Sequence, residues 1–325
     1  MRIKSVYELN GDEILAKSIQ NEENEVLISE GTIIKKEYIP LICSLGIDFL
    51  MIKDPYEHLE KPNTIINRNR LDFLVGKVRN LMERHIYHEN KSLHEFEMIA
   101  NEIVKEINHM PENSVIDIHE RMADLYEHTV MVTLLSVSIA KRLHLDTERQ
   151  YKIALGCLLH DIGIRYITTG YTNRDWEGMS PEEIFEFKKH TILGYSALDE
   201  EIWVPEISRK MILSHHENLE GSGFPMHWKS NEIECRIIQA CDAFDCYISG
   251  MECKRMSVQN ALSKMKEEAG KKYDEKIIEI LVSKIAQYPV GTIVKMDNQT
   301  EGVVISQTTD PKNPIILVLK TEVPD

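Results

Sequence analysis

Residues able to hold a metal ion recur in the middle of apolar helical patterns along this 325-residue chain. In "RMADLYEHTVMVTLLSVSIAKRL", Asp124 and His128 stand four apart, on a stripe that continues through Leu135 and Ile139 and is expected to face the core. "YKIALGCLLHDIGIRYI" closes a core helix with His160 and Asp161 side by side. "MSPEEIFEFKKHTILGYSAL" opens with the capping box of Ser180 and Glu183 and places His190 near the apolar line of Ile184, Phe187, Tyr195 and Leu198. "ISRKMILSHHE" ends in His215 and His216, directly before the loop "NLEGSGFP". "IECRIIQACDAFDCYI" sets Asp242 inside a nearly continuous apolar run, with Asp245 read either as a surface carboxylate or as a support behind a ligand.

A buried imidazole or carboxylate is costly unless it is paired or coordinated. Here Asp124, His128, His160, Asp161, His190, His215, His216 and Asp242 recur at about one helix-plus-loop interval, as bundle helices require if each is to bring a polar group to one centre. Imidazoles and carboxylates without thiolate suit Fe, Mn or Zn, and Asp161, lying between the clusters, is placed to bridge two ions.

The elements that must position these groups make the chain mainly α. Residues 1–60 read as a small α/β module with short strands and one short helix near "KKEYIPLICSLG". Residues 61–112 read as amphipathic connecting helices, which permit a homodimer. Residues 113–288 form a helical block that carries the donors, and residues 289–325 read as a β element of about three strands, "TIVKM", "GVVISQ" and "PIILVLK". A net charge of -15 without a Lys/Arg block argues against duplex nucleic acid or an anionic membrane as partner, while leaving room for a local cationic site. No apolar run reaches the length of a membrane span, and the six cysteines contain no C-x-x-C pair. Both features predict a cytoplasmic protein with reduced core thiols.

"HDIG", "KKHTILG", "HHENLEGSGFP" and "ACDAFDCYIS", in this order, resemble the HD-GYP domain, the cyclic di-GMP phosphodiesterase branch of the HD metal-dependent phosphohydrolases. The resemblance covers about residues 113–288. It implies a di- or trinuclear iron or manganese centre and hydrolysis of cyclic di-GMP to linear pGpG, GMP or both. It implies His160 and Asp161 as the namesake pair, and His128, His190, His215, His216 and Asp242 as the other ligands. Asp124 stands where members with a third ion carry Glu, and Gly223, Phe224 and Pro225 match the Gly-Tyr-Pro loop with Phe for Tyr. Ile164 replaces a phosphate-contacting Lys of the family and Met251 an Arg, while Asn218 and Glu220 also depart from the pattern. Arg165, Lys188, Lys254 and Arg255 are the expected substitute cations, with Asp161 and Arg165 as the catalytic pair. The alternatives are a cyclic-dinucleotide receptor with weak or no turnover, and an HD-type hydrolase of another nucleotide such as cyclic GMP-AMP.

Overall fold

The computed structural model describes residues 2–20, 25–45, 47, 49–53, 57–86, 93–111, 114–170, 172, 176–229, 232–297 and 300–319. The chain forms two units, 1–62 with 288–308 and 312–325, and 63–287 with 309–311.

In the first unit, β1 (Arg2–Ser5), β2 (Glu13–Ile14), β3 (Ile19–Gln20), β4 (Val26–Ile28) and β5 (Ile33–Ile34) precede α1 (Ile39–Ser44) and β6 (Phe49–Ile52). The strands pair antiparallel as β1 with β6, β2 with β5 and β3 with β4. Val6, Leu15, Ile34, Ile42 and Leu50 form their shared core. Strands β7 (Ile293–Lys295), β8 (Glu301–Ser306) and β9 (Ile315–Val318) make an antiparallel sheet in chain order. Lys61 N–H donates to Ile305 O at 2.9 Å and so joins the N-terminal segment to β8.

The second unit is helical: α2 (Arg68–Ile86), α3 (Glu95–His109), α4 (Leu125–Arg142), α5 (Thr147–Leu159), α6 (Pro181–Ala197), α7 (Glu206–Ser214), α8 (Ile233–Ser249), α9 (Val258–Glu268) and α10 (Glu275–Lys284). The "MPENS" break expected before the helical block falls partly on Glu112 and Asn113, which lie outside the described residues. Short polar side chains start the helices by accepting otherwise unpaired N–H groups. Asp146 does so for α5, Ser257 for α9 and Asp274 for α10, and α6 carries the expected Ser180/Glu183 capping box with Pro181 behind it.

Helix α4 lies at the centre, buried without interruption from His128 to Ala140, and packs against α2, α3, α5, α8 and α10. Each fully buried Val, Leu or Ile there contributes about 1.5–3 kcal/mol. Thr129 and Thr133 are tolerated in this setting because their hydroxyls donate to the Leu125 and Thr129 carbonyls at 2.8 and 2.7 Å. The ends of the helical stretch meet where Ile116 N–H donates to Lys284 O at 2.7 Å and Ala286 N–H donates to Ile116 O at 2.9 Å.

Candidate metal centre

His128 points inward from the first turn of α4, and His160 is the C-cap of α5 with Asp161 next to it. His190 lies on α6, His215 caps α7 with His216 following, and Asp242 lies midway along α8. One local device orients three of the rings. The Nδ1–H of His160 donates to Cys157 O at 2.7 Å, that of His190 to Phe187 O at 2.7 Å and that of His215 to Ile212 O at 2.8 Å. Since a carbonyl can only accept, each Nδ1 is the protonated nitrogen, and each Nε2 offers a lone pair to the centre. His128 is oriented in a similar way by Asp245, whose Oδ2 takes its Nδ1–H at 2.8 Å. Arg121 donates to both oxygens of Asp245 at 2.7 and 2.8 Å and fixes it in turn.

Gly163 is required by the close approach of the 161–166 turn to α6. A Cβ on it would stand 1.8 Å from the His190 carbonyl oxygen and 2.6 Å from Gly194 N. The contact brings Asp161 against His190.

Asp161 divides the donors into two groups. Its Oδ2 lies 3.3 Å from His160 Nε2 and 3.6 Å from His128 Nε2. Its Oδ1 lies 3.5 Å from His215 Nε2 and 3.6 Å from His190 Nε2. Asp242 Oδ1 completes the first group, 3.1 Å from His128 Nε2 and 3.6 Å from His160 Nε2. His216 completes the second, since one donor atom each of His190, His215 and His216 lie within 4.8 Å of one another. Neither oxygen of Asp161 has a hydrogen-bond partner, nor has His160 Nε2 or His216 Nε2, although all are buried. A polar core that only supported the fold would satisfy such atoms, because each one left bare costs about 1–3 kcal/mol and more when charged. The donors therefore fit metal ions, which His128, His160 and Asp242 on one side, His190, His215 and His216 on the other and Asp161 between them would hold. Cys246 Sγ also lies near His128 and Asp242, and burial pushes its thiol well above the usual range.

The electrostatics divide along the same line. Burial opposes the charge on Asp161, yet His160, His215 and His190 outweigh it and hold the carboxyl well below the usual range. Asp242 is lowered in the same way, against burial, chiefly by His128 and His160. Burial disfavours the His128 cation too, but hydrogen bonds to Asp242 and Asp245 push it up to about 10. In the other group burial and the neighbouring His216 lower His190 well below its normal value and bring His215 down to about 4. One group is rich in carboxylate and the other in imidazole, where His216, in contrast to His190 and His215, is raised against burial by Glu252, Asp242 and Asp161.

The expectation that Asp124 shares the inward stripe with His128 is overturned. Asp124 is the N-cap of α4, with extended backbone at φ -91°, so helical i,i+4 stacking does not apply to it. Its carboxylate, 45% exposed, accepts from Tyr126 N and Glu127 N and pairs with Arg79. Asp245, by contrast, is the buried support of His128 and not a surface group.

Among the rim residues, Gly223 packs so tightly that a Cβ would stand 2.3 Å from the His216 carbonyl oxygen. Phe224 N–H donates to that carbonyl at 3.2 Å, and the Phe224 ring stacks on His216 at 4.5 Å between centroids, ahead of a cis bond to Pro225. Lys188 Nζ sits over Trp176 and Phe224, 5.3 and 5.2 Å from the ring centres. Arg165 donates to Glu83 Oε2 at 3.0 Å, while Ile164 and Met251 are part of the main apolar core. Lys254 is exposed, and half-buried Arg255 has its pKa lowered by burial, against the opposing charge of Glu120. Asn218 closes its loop on Ser222, accepting from the backbone N at 3.0 Å and donating to Oγ at 2.8 Å. Sequence reading missed Glu252, Arg121 and Trp176, none of which lies on a periodic stripe.

Imidazoles and carboxylates gathered from α4, α5, α6, α7 and α8 and the residues that follow them give a helical domain one cluster of groups able to hold metal. The family profile described as the HD domain matches residues 112–277, about half of the sequence, and the chain belongs to the HD domain family. Cyclic di-GMP phosphodiesterase PdeB of Borreliella burgdorferi is 26% identical over 196 residues, 58% of this chain and 50% of that protein. Cyclic di-GMP phosphodiesterase PA4108 of Pseudomonas aeruginosa is 28% identical over 185 residues, 56% of this chain and 44% of that one. The chain thus spans about half the length of these curated relatives. The solved structure of Bd1817, a HDG"Y"P protein from Bdellovibrio bacteriovorus, shares the fold over 86% of this chain and 97% of its own, with a TM-score of 0.56 at 18% identity. Among the described residues no helix is long and apolar enough to cross a membrane.

Proposed function

We propose that the chain is a metal-dependent phosphodiesterase that opens cyclic di-GMP to linear pGpG and onward to GMP. The observation that carries this reading is Asp161, whose two unpartnered oxygens each face a separate pair of imidazole nitrogens. Two divalent ions held by these groups, Fe or Mn by the imidazole and carboxylate donors, would supply Lewis-acid activation of water and charge stabilisation at phosphorus.

The chain's own residues supply binding and orientation. The i−3 carbonyls lock His160, His190 and His215 so that their lone pairs need no reorientation. Asp245 and Arg121 do the same for His128. Phe224, buried against Phe187 and Met179, backs the His216 ring, and Lys188 sets a cation beside them that suits an anionic phosphate. Hydrolysis adds water across one P–O bond, leaving a 5′-phosphate on one nucleoside and a free 3′-hydroxyl on the other. None of the six cysteines is in a disulfide, which supports a reducing compartment that we take to be the cytoplasm.

A second reading, a receptor with little turnover, is favoured by Ile164 and Met251, which put apolar side chains in the core where the family presents cations, and by the engagement of Arg165 with Glu83. Incubating the Fe(II)- or Mn(II)-loaded chain with cyclic di-GMP and separating the products decides between them. Linear pGpG or GMP is expected. Tight binding without product would establish the receptor. Turnover of cyclic GMP-AMP alone would move the substrate assignment.

A further inference from the structure

Helix α8 ends at Gly250, which takes φ 78° while its N–H donates to Cys246 O at 3.0 Å. Two residues later Glu252 adopts φ 62°, a left-handed conformation that side-chain-bearing residues seldom hold. The turn is pinned to the helix behind it by Met256 N–H donating to Tyr247 O, and is closed on itself by Cys253 N–H donating to Met251 O, both at 2.8 Å. The result folds Glu252 back into the protein, where it is 7% exposed.

Its carboxylate arrives among the metal donors. Oε2 lies 3.3 Å from His216 Nε2. An oxygen of Glu252 lies within 4.8 Å of donor atoms of Asp161 and His190, and one lies as close to donor atoms of His216 and Asp242. Oε1 is buried without a hydrogen-bond partner. An ion pair with His216 alone would account for Oε2 but leave Oε1 bare. It would also leave a third carboxylate beside Asp161 and Asp242, an arrangement that like-charge repulsion and lost hydration both oppose.

We propose that Glu252 is a further protein ligand to the ions, a carboxylate delivered by the turn after α8 to a position shared by the two donor groups. The inference rests on the two-ion reading of the site. It adds one negative charge to the two of Asp161 and Asp242, so that the protein supplies at this position an anion that solvent or phosphate would otherwise provide.

The test is Mn(II) titration of the full chain, followed by electron paramagnetic resonance of free Mn(II), on wild type and Glu252→Gln, with thermal unfolding of the metal-free forms alongside. As a ligand, Glu252 makes the variant bind at least one ion about tenfold to a hundredfold more weakly. The metal-free variant then unfolds at the same or a higher temperature, because a repelled buried charge has gone. Equal Mn(II) affinity in both proteins, with a lower unfolding temperature for the metal-free variant, would make Glu252 a structural partner of His216 and overturn the proposal while leaving the two-ion site standing. Wild type that binds no Mn(II) would overturn both. Should the variant not fold, a crystal structure of the Mn(II)-loaded wild type decides. A Glu252 oxygen at about 2.0–2.2 Å from an ion supports the assignment, and one beyond about 3 Å rejects it.

Discussion

His160, His190 and His215 each anchor Nδ1 on a carbonyl three residues back and leave Nε2 for a ligand, whereas at the rim Arg165 is held by Glu83 and Lys188 lies over two aromatic rings. The floor of the site is oriented before anything binds, and its unpartnered atoms all face inward. The rim cations are engaged with the protein itself, and Ile164 and Met251 there have become core residues. If the floor holds metal and the rim substrate, the two tasks are separable in this chain, because helix carbonyls position His160, His190 and His215 while side-chain contacts hold Arg165 and Lys188.

If that separation holds, floor substitutions change metal content and rim substitutions do not. The largest effect is expected for Asp161→Ala, which removes the one carboxylate common to both groups. Metal analysis should show a fall from about two ions per chain to none, and retention of both would mean that Asp161 does not bridge. Asp245→Ala comes next, stripping His128 of its acceptor and leaving largely buried Arg121 with Glu127 alone, 3.3 Å away, as its counter-charge. A loss of about 3–5 kcal/mol in denaturant unfolding and about tenfold to a hundredfold weaker metal binding are expected. Lys188→Ala should leave metal content unchanged and weaken cyclic di-GMP binding about tenfold, as loss of one charge-assisted contact of about 1.5 kcal/mol implies. Reduced metal in this variant would join rim to floor. Arg165→Ala should do least to the fold, since the Arg165–Glu83 pair is partly exposed. Its stability should change by under about 1 kcal/mol with metal content intact, so any loss of turnover would report on substrate directly.

The floor was legible in the sequence because a buried His or Asp interrupts an apolar period, and the interruption shows wherever the residue lies within or at the end of a regular helix. His128, His190 and Asp242 are of that kind. Asp124 misled because the same spacing continues one residue past the helix start, where the carboxylate serves the backbone as a cap. Glu252 was invisible for the opposite reason. It lies in a left-handed turn with no period, and only the chain reversal after Gly250 turns it inward. At the rim, residue type alone said little about direction. Nothing in "HDIGIRY" distinguishes an Arg165 aimed at phosphate from one aimed at Glu83, because the partner comes from α2, 82 positions earlier.

Because the His160, His190 and His215 rings are each pinned to a carbonyl three residues back in their own helical segments, each segment carries its imidazole preset before tertiary docking begins. A free helix then has little hold on an ion. A full donor group exists only once partners as distant as His128 and Asp242, 114 positions apart, have met. An ion held there would therefore read out completed assembly and act as a clasp on it. At a free concentration one hundred times its dissociation constant it would add about 2.7 kcal/mol to the finished fold and nothing to its unassembled parts.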